Sequence, residues 1–319
     1  MTTNFDTASF YLIGYTGKYS IDFSLYDYVF HIESDEDKIE NYNKLLMQTD
    51  ASSETGILTI KKNTNQSKLL NYAQDIMNLL SLALGKSIIF NRQEYSIDDK
   101  ISPVLKEMVL NHNEGKQIVP DCELEKYLEQ TFPYWSNLIK EEKDKYFVLI
   151  DYLNQTKTGF IEDRILRTMQ AWECACNYWI DKVELDDDAK ELKKDIKALY
   201  RKWKNGDSNK DQDGKLMGKI SNAFDQEIII KKLYQLIYTF KLNVNKINLD
   251  LNKLKDLRDQ VAHNGRIDIP GKEAINYLNP GIMGLQLILL KKFGYTGKVS
   301  GVSNGWSTTE NISTYFRQN

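Results

Sequence analysis

Gln66-Ser67-Lys68-Leu69-Leu70-Asn71-Tyr72-Ala73-Gln74-Asp75-Ile76-Met77-Asn78-Leu79-Leu80-Ser81-Leu82-Ala83-Leu84-Gly85 is where the chain changes its period. Leu69, Ala73, Ile76, Leu80 and Ala83 recur at helical spacing, and Gly85 is the residue type that ends helices in the left-handed conformation. Upstream, residues 10–62 read as strands. Tyr19, Ile21, Phe23 and Leu25 alternate with Ser20, Asp22 and Ser24, the period of two of a half-buried strand. The phase then slips to the even positions Tyr28, Phe30 and Ile32, which predicts a bulge or turn at Tyr26–Asp27. A second short strand is expected over Ile57–Ile60.

Downstream of Gly85, Ile88–Phe90 suits a further strand and Pro103 opens a short helix. The polar stretch 111–120 reads as a boundary. Beyond Pro120 the pattern is helical over 123–131, 134–153, 160–184, 187–204, 215–241, 246–264 and 281–293. Residues 206–214 form a polar loop, and Pro280–Gly281 breaks the region after Gly271 in two. The fold class is therefore α+β, mainly α. A mixed N-terminal domain (1–118) leads through a helical connector (119–159) into a helical bundle (160–293). The tail 294–319, rich in Gly, Ser, Thr and Asn, reads as loosely ordered.

The 319 residues are 41% hydrophobic and 27% charged, enough for a sizeable core without disulfides. Cys122, Cys174 and Cys176 show no metal-ligand spacing and read as small buried apolar residues in a reducing compartment. The N-terminus lacks a signal-peptide pattern and no apolar run approaches 18 residues, so a cytoplasmic protein with no membrane association is expected. A net charge of −3 does not announce a nucleic-acid binder, but phosphate contact needs only a local basic face.

Chemistry concentrates in Leu257-Arg258-Asp259-Gln260-Val261-Ala262-His263-Asn264-Gly265. This string resembles the Arg-x4-to-6-His signature of HEPN ribonucleases, with a polar residue, Asp259, directly after the arginine. Asp163–Glu173 resembles the first HEPN helix of ApeA-like antiviral proteins, and Phe132–Trp135 and Tyr146–Leu153 resemble the approach to it. The resemblance covers roughly the last 190 residues. It implies an antiparallel helical bundle of HEPN type, catalysis by Arg258 and His263 without cofactor or metal, and supporting roles for Asp259, Glu173, Gln170 and Asn264. It also implies a homodimer in which two Arg–His sets share one cleft.

The residue types suit the reaction. Cleaving RNA by attack of its own 2′-hydroxyl needs a base at that hydroxyl, an acid at the departing 5′-oxygen and cationic donors on the phosphate. Histidine titrates in the useful range, and the planar arginine fork matches phosphate oxygens. The products would end in 2′,3′-cyclic phosphates. Five residues on a helix amount to about 140° of rotation, so Arg258 and His263 do not share one narrow face, and Asn264–Gly265 predicts that the helix stops just past His263.

A bland reading stands beside each of these. An arginine and a histidine near a helix end can be a capping pair, Asp259 a surface partner of Arg258 or Lys255, and Glu173 with Gln170 a solvated stripe. Lys190, Lys194, Lys197, Arg201 and Lys204 fall on one helical face with Tyr200 and Trp203 interleaved, which suits RNA contact, although such a run is more often a solvated face. Asn209–Gly214 resembles the start of a calcium loop, but Ile220 stands where its bidentate glutamate belongs. His31 and His112 read as incidental.

The expected function is a toxin-like or antiviral endoribonuclease acting on RNA, with structured RNA such as tRNA a candidate. A trigger protein or cognate inhibitor is an expected partner. The competing expectations are a non-catalytic module of the same fold binding a nucleotide or a protein, and an adaptor that neutralises another toxin.

Overall fold

The computed structural model describes residues 4–34, 54–98, 100–105, 117–156, 159–181, 187–205, 215–303 and 306–317. It is a mixed fold in which an N-terminal antiparallel sheet is followed by helices. The strands are β1 (Asn4–Ile13), β2 (Ile21–Leu25), β3 (Tyr28–Ser34), β4 (Glu54–Asn65), β5 (Ile89–Ile97) and β6 (Lys100–Leu105), in the order β2-β3-β4-β1-β5-β6. The alternation read from the sequence is the pleat itself: Ile21 and Phe23 are buried, whereas Asp22 and Ser24 are exposed. The phase slip is a tight turn. Leu25 pairs with Tyr28, and Tyr26 takes a left-handed φ of 56°.

Helix α1 (Gln66–Leu84) starts where Asn65 Oδ1 accepts the Lys68 N–H at 3.0 Å and stops at Gly85, φ 64°. Its apolar stripe lies on the sheet, and its C-terminal half is also covered by α2 (Leu124–Ser136) and α3 (Lys140–Gln155). Buried Asp75 is held there by Trp135 Nε1 at 2.8 Å and Lys143 Nζ at 2.7 Å. Aromatic rings run through this junction: Phe132 meets Phe23, Phe30 and Tyr72, and Trp135 meets Phe293. Sheet and helices thus share one continuous core.

The remaining helices are α4 (Ile161–Trp179), α5 (Asp187–Asn205), α6 (Lys215–Phe240), α7 (Val244–Ile247), α8 (Leu251–Asn264) and α9 (Gly271–Lys292). Helix α4 is central and packs on α3, α6, α8 and α9. Trp172 of α4, fully buried, donates from Nε1 to the Gly281 carbonyl of α9 at 2.9 Å. A side chain at Gly281 would place Cβ 2.7 Å from Leu254 Cδ2, so this glycine sets how closely α8 and α9 approach. Gly281→Ala should destabilise by about 1–3 kcal/mol through overpacking, although alanine is the better helix former. Urea unfolding measures it, and a rise in stability would contradict this packing.

Several expectations need correction. Pro103 lies in β6, which ends the strand order next to β5 among the described residues, an edge position where strands tolerate proline. Pro280 does not break the C-terminal helix, since α9 runs through it from Gly271 to Lys292. Pro133 is likewise internal to α2, and the break falls later, where Ser136 Oγ and Asn137 Nδ2 bond to the Pro133 carbonyl at 3.2 and 2.8 Å. The expected helix 246–264 is two, parted at Asn248 with φ 55°.

The tail is not loose. Strands β7 (Lys298–Ser303) and β8 (Trp306–Asn311) form a hairpin, Val299, Ile312 and Tyr315 are buried, and Phe316 bridges to Leu242. Cys122 is exposed rather than buried. Cys174 is half-buried, and burial pushes the Cys176 thiol up to about 12. His31 finds Asp22 at 2.8 Å across the β2–β3 pair. The calcium-like stretch Asn209–Gly214, His112 and most of the proposed boundary at 111–120 lie outside the described residues. Among the described residues no helix is long and apolar enough to cross a membrane.

Candidate active site

Helix α8 is defined at both ends. Asp250 accepts the Lys253 N–H at 2.9 Å, and Gly265, φ 72°, donates its N–H to the Val261 carbonyl at 2.9 Å. Its buried residues Leu251, Leu254, Leu257 and Val261 form a narrow stripe that docks on α4 and α9. Arg258, next to Leu257, therefore lies at the rim of the packed interface, half-buried. His263 is in the last helical turn and exposed. The two are separated by about 7.5 Å along the axis and about 140° around it.

The rim position brings Arg258 to α4. Its Nη2 donates to Glu173 Oε1 at 3.0 Å, across 85 residues of chain, and its Nη1 donates to Asp259 Oδ1 at 2.9 Å. Asp259 Oδ2 accepts from Lys255 Nζ at 2.6 Å. Two cations and two carboxylates form a row with no net charge. Burial pushes the Asp259 carboxyl upward, but the hydrogen bonds from Lys255 and Arg258 outweigh that and hold it below its usual range.

The sign of the consequence is fixed. A carboxyl depressed in the folded state contributes stability above its unfolded value near 3.8, and this is lost as pH falls through the lower folded value. Denaturant midpoints between pH 6 and 2.5 should fall more steeply for the wild type than for Asp259→Asn. Parallel curves would show that the row contributes nothing.

Among the expected supporting residues, Glu173 joins Arg258 and Asp259 joins it too. Gln170, one turn earlier on α4, is exposed and makes no hydrogen bond to the pair, and Asn264 is exposed at the helix end. No described residue bonds to the His263 ring. Gln260, which the sequence reading did not single out, accepts the Asp268 N–H at 3.0 Å and ties the loop after α8 back onto the helix. Its signal is weak: a glutamine two turns before a turn-forming stretch.

The basic stripe Lys190, Lys194, Lys197, Arg201 and Lys204 lies on α5, none of whose residues is buried. Lys190 pairs with Asp187 at 3.5 Å, and the Tyr200 and Trp203 rings sit 6.0 Å apart, with Trp203 partly exposed. Helix α5 leans on α6, whereas the Arg258 row is built by α4 and α8. Among the described residues no three or more His, Cys, Asp or Glu side chains are gathered so as to hold a metal ion. Comparison with family models, with curated proteins and with solved structures finds no match to this chain.

Proposed function

We propose that this chain is a metal-independent endoribonuclease of HEPN type, with α4, α8 and their neighbours as the HEPN bundle and Arg258 and His263 as the catalytic pair. The observation that carries the reading is the Glu173–Arg258 bond. It joins the two helices that the resemblance couples, at the residues it implicates. An exposed histidine one and a half turns on is free to reach a substrate.

In this reading His263 moves the proton, taking it from the 2′-hydroxyl or giving it to the departing 5′-oxygen. Arg258 holds the phosphate. Two of its five N–H donors are committed to Glu173 and Asp259, which orient the guanidinium and leave three for phosphate oxygens. A second copy of the chain brings the complementary acid or base, because a single helix separates its own pair by about 140°. The stripe on α5 would track the RNA backbone, and the N-terminal sheet would respond to a trigger or restrain the nuclease.

Expression in growing cells tests this. Wild-type protein should arrest growth and fragment cellular RNA, and His263→Ala should do neither at equal protein level. Arrest by both proteins would place the toxicity elsewhere. One observation favours a second reading, a non-catalytic helical module: the Arg258 row is already neutral, as expected of a purely structural ion-pair network. That module predicts intact RNA in both strains.

A further inference from the structure

A cavity of about 480 Å³ lies on the side of α9 that faces the C-terminal hairpin. This falls within the roughly 300–1,000 Å³ of small-molecule sites. Asn276, Asn279, Met283 and Gln286 line it at helical spacings of three and four along one face of α9. Pro280, also in the wall, has no N–H to give the Asn276 carbonyl four residues back, so a backbone acceptor is freed there. The opposite wall comes from Ile118, Ile247, Ser300 and Tyr315. It is closed by backbone bonds from Ser300 N to the Ile118 carbonyl at 2.7 Å and from Asn243 N to the Tyr315 carbonyl at 2.8 Å.

Gln286 is the residue that needs explaining. It is only 5% exposed, opens onto this cavity, and its amide has no hydrogen-bond partner among the described residues. Its amide faces the cavity rather than being sealed in the core, so the polar end is available to whatever occupies that space. Arg164 of α4 is the second such group. Its Nε donates to the Thr156 carbonyl at 2.7 Å, no carboxylate among the described residues pairs with its guanidinium, and burial draws its pKa down. The other cation in the wall, Lys246, is neutralised by Glu310 at 2.7 Å. The lining thus carries one uncompensated positive charge, several carboxamides and an apolar floor.

We propose that this cavity is a binding site for a small organic monoanion whose charged group meets Arg164 and whose amide-type donor and acceptor edge meets Gln286, Asn279 and Asn276. The planar guanidinium fork accepts a carboxylate or a phosphodiester. A carboxamide pairs equally with a peptide amide or with the edge of a nucleobase, and the Ile and Tyr315 walls cover the apolar remainder. This site does not depend on the nuclease reading.

Calorimetric titration of the full chain with two probe sets tests it. One set is the four 3′,5′-cyclic mononucleotides and the other the N-acetylated apolar amino acids, each singly negative. One set should bind saturably with Kd of about 1 mM or lower, which also identifies the source of the anion. The corresponding uncharged nucleosides or N-acetyl amino-acid amides should bind at least about tenfold more weakly. Gln286→Leu should weaken binding by about tenfold or more while melting close to the wild-type temperature, because the amide it removes bonds to no described residue. Asn279→Asp, at the exposed mouth, should weaken it comparably by opposing the anion. Binding by neither set, binding equal in both variants and wild type, or equal binding of the uncharged analogues would each overturn the assignment.

Discussion

Trp172→Ala is expected to remove about 3–5 kcal/mol of stability, the cost of emptying a large buried aromatic site, against the roughly 5–15 kcal/mol that holds a typical protein together. Trp172 is fully buried and sits where α4 meets α9. Its ring also lies 3.2 Å from the position a side chain at Gly284 would occupy. The substitution opens a cavity and deletes the bond to the Gly281 carbonyl at the same time. Trp172→Phe keeps most of the ring and should cost only about 1 kcal/mol more than its small volume change, for that single bond. Urea midpoints at constant slope report both. Because Glu173 is the next residue, loosening Trp172 should also release the carboxylate from Arg258 and, on the proposed mechanism, lower RNA cleavage well before the chain unfolds. Equal stability of Trp172→Ala and wild type would mean that α4 is not the element around which the helices pack.

The second large effect concerns the chemistry. His263→Ala should lower RNA cleavage by about 10²–10⁴-fold, the usual contribution of a positioned acid–base group. Arg258→Ala should lower it by about 10²–10³-fold, as for other lost donors to a developing charge. Their effects on stability separate them. His263 is exposed, so His263→Ala should melt within about 0.5 kcal/mol of wild type, whereas Arg258→Ala should lose up to about 1 kcal/mol from its half-exposed ion pairs. Arg258→Lys should not restore activity, since a point charge cannot reproduce two divergent bonds and a phosphate contact. Initial rates on a fluorescent RNA distinguish these outcomes. Rates that follow only the amount of folded protein would mark both residues as structural.

Where local rules and tertiary packing agreed, the sequence was easily read. The change of period at Gln66 and the stop at Gly85 bracket α1, the Tyr26–Asp27 slip is a real turn, and Asn264–Gly265 ends α8. The prolines were misread because the rule is local and its outcome is not. Pro280 sits in a helix whose buried face, from Leu278 through Gly281 to Leu290, is clamped by α4 and α8, so lost backbone bonding did not end it. Pro103 found an edge, which cannot be known before strand order is known. The tail looked too polar for a core, yet Lys298 N–H reaches Glu123 and the Tyr295 ring meets Tyr127 edge-to-face, partners roughly 170 residues away in the chain.

The site divides in the same way. Arg258 with Asp259 and Lys255 is a helix-local arrangement, visible as spacings of one and four residues. Glu173 reaches them only through the packing of α4 on α8, and nothing in its own neighbourhood distinguishes it from Gln170, which stays in solvent. The cavity beside α9 did leave a trace. Polar Asn276, Asn279 and Gln286 recur at helical spacing on a helix that is otherwise strongly apolar towards its end. Such a polar line marks a surface stripe or a lined cavity, and only the hairpin closing over it decides between them.

Purified protein incubated with RNA in EDTA, followed by analysis of the new 3′ ends, tests the central claim most directly. Wild type should produce fragments ending in 2′,3′-cyclic phosphate, and His263→Ala, equally folded, should produce none. Fragments from both proteins, or none from a folded wild type carrying its full row of ion pairs, would contradict the account.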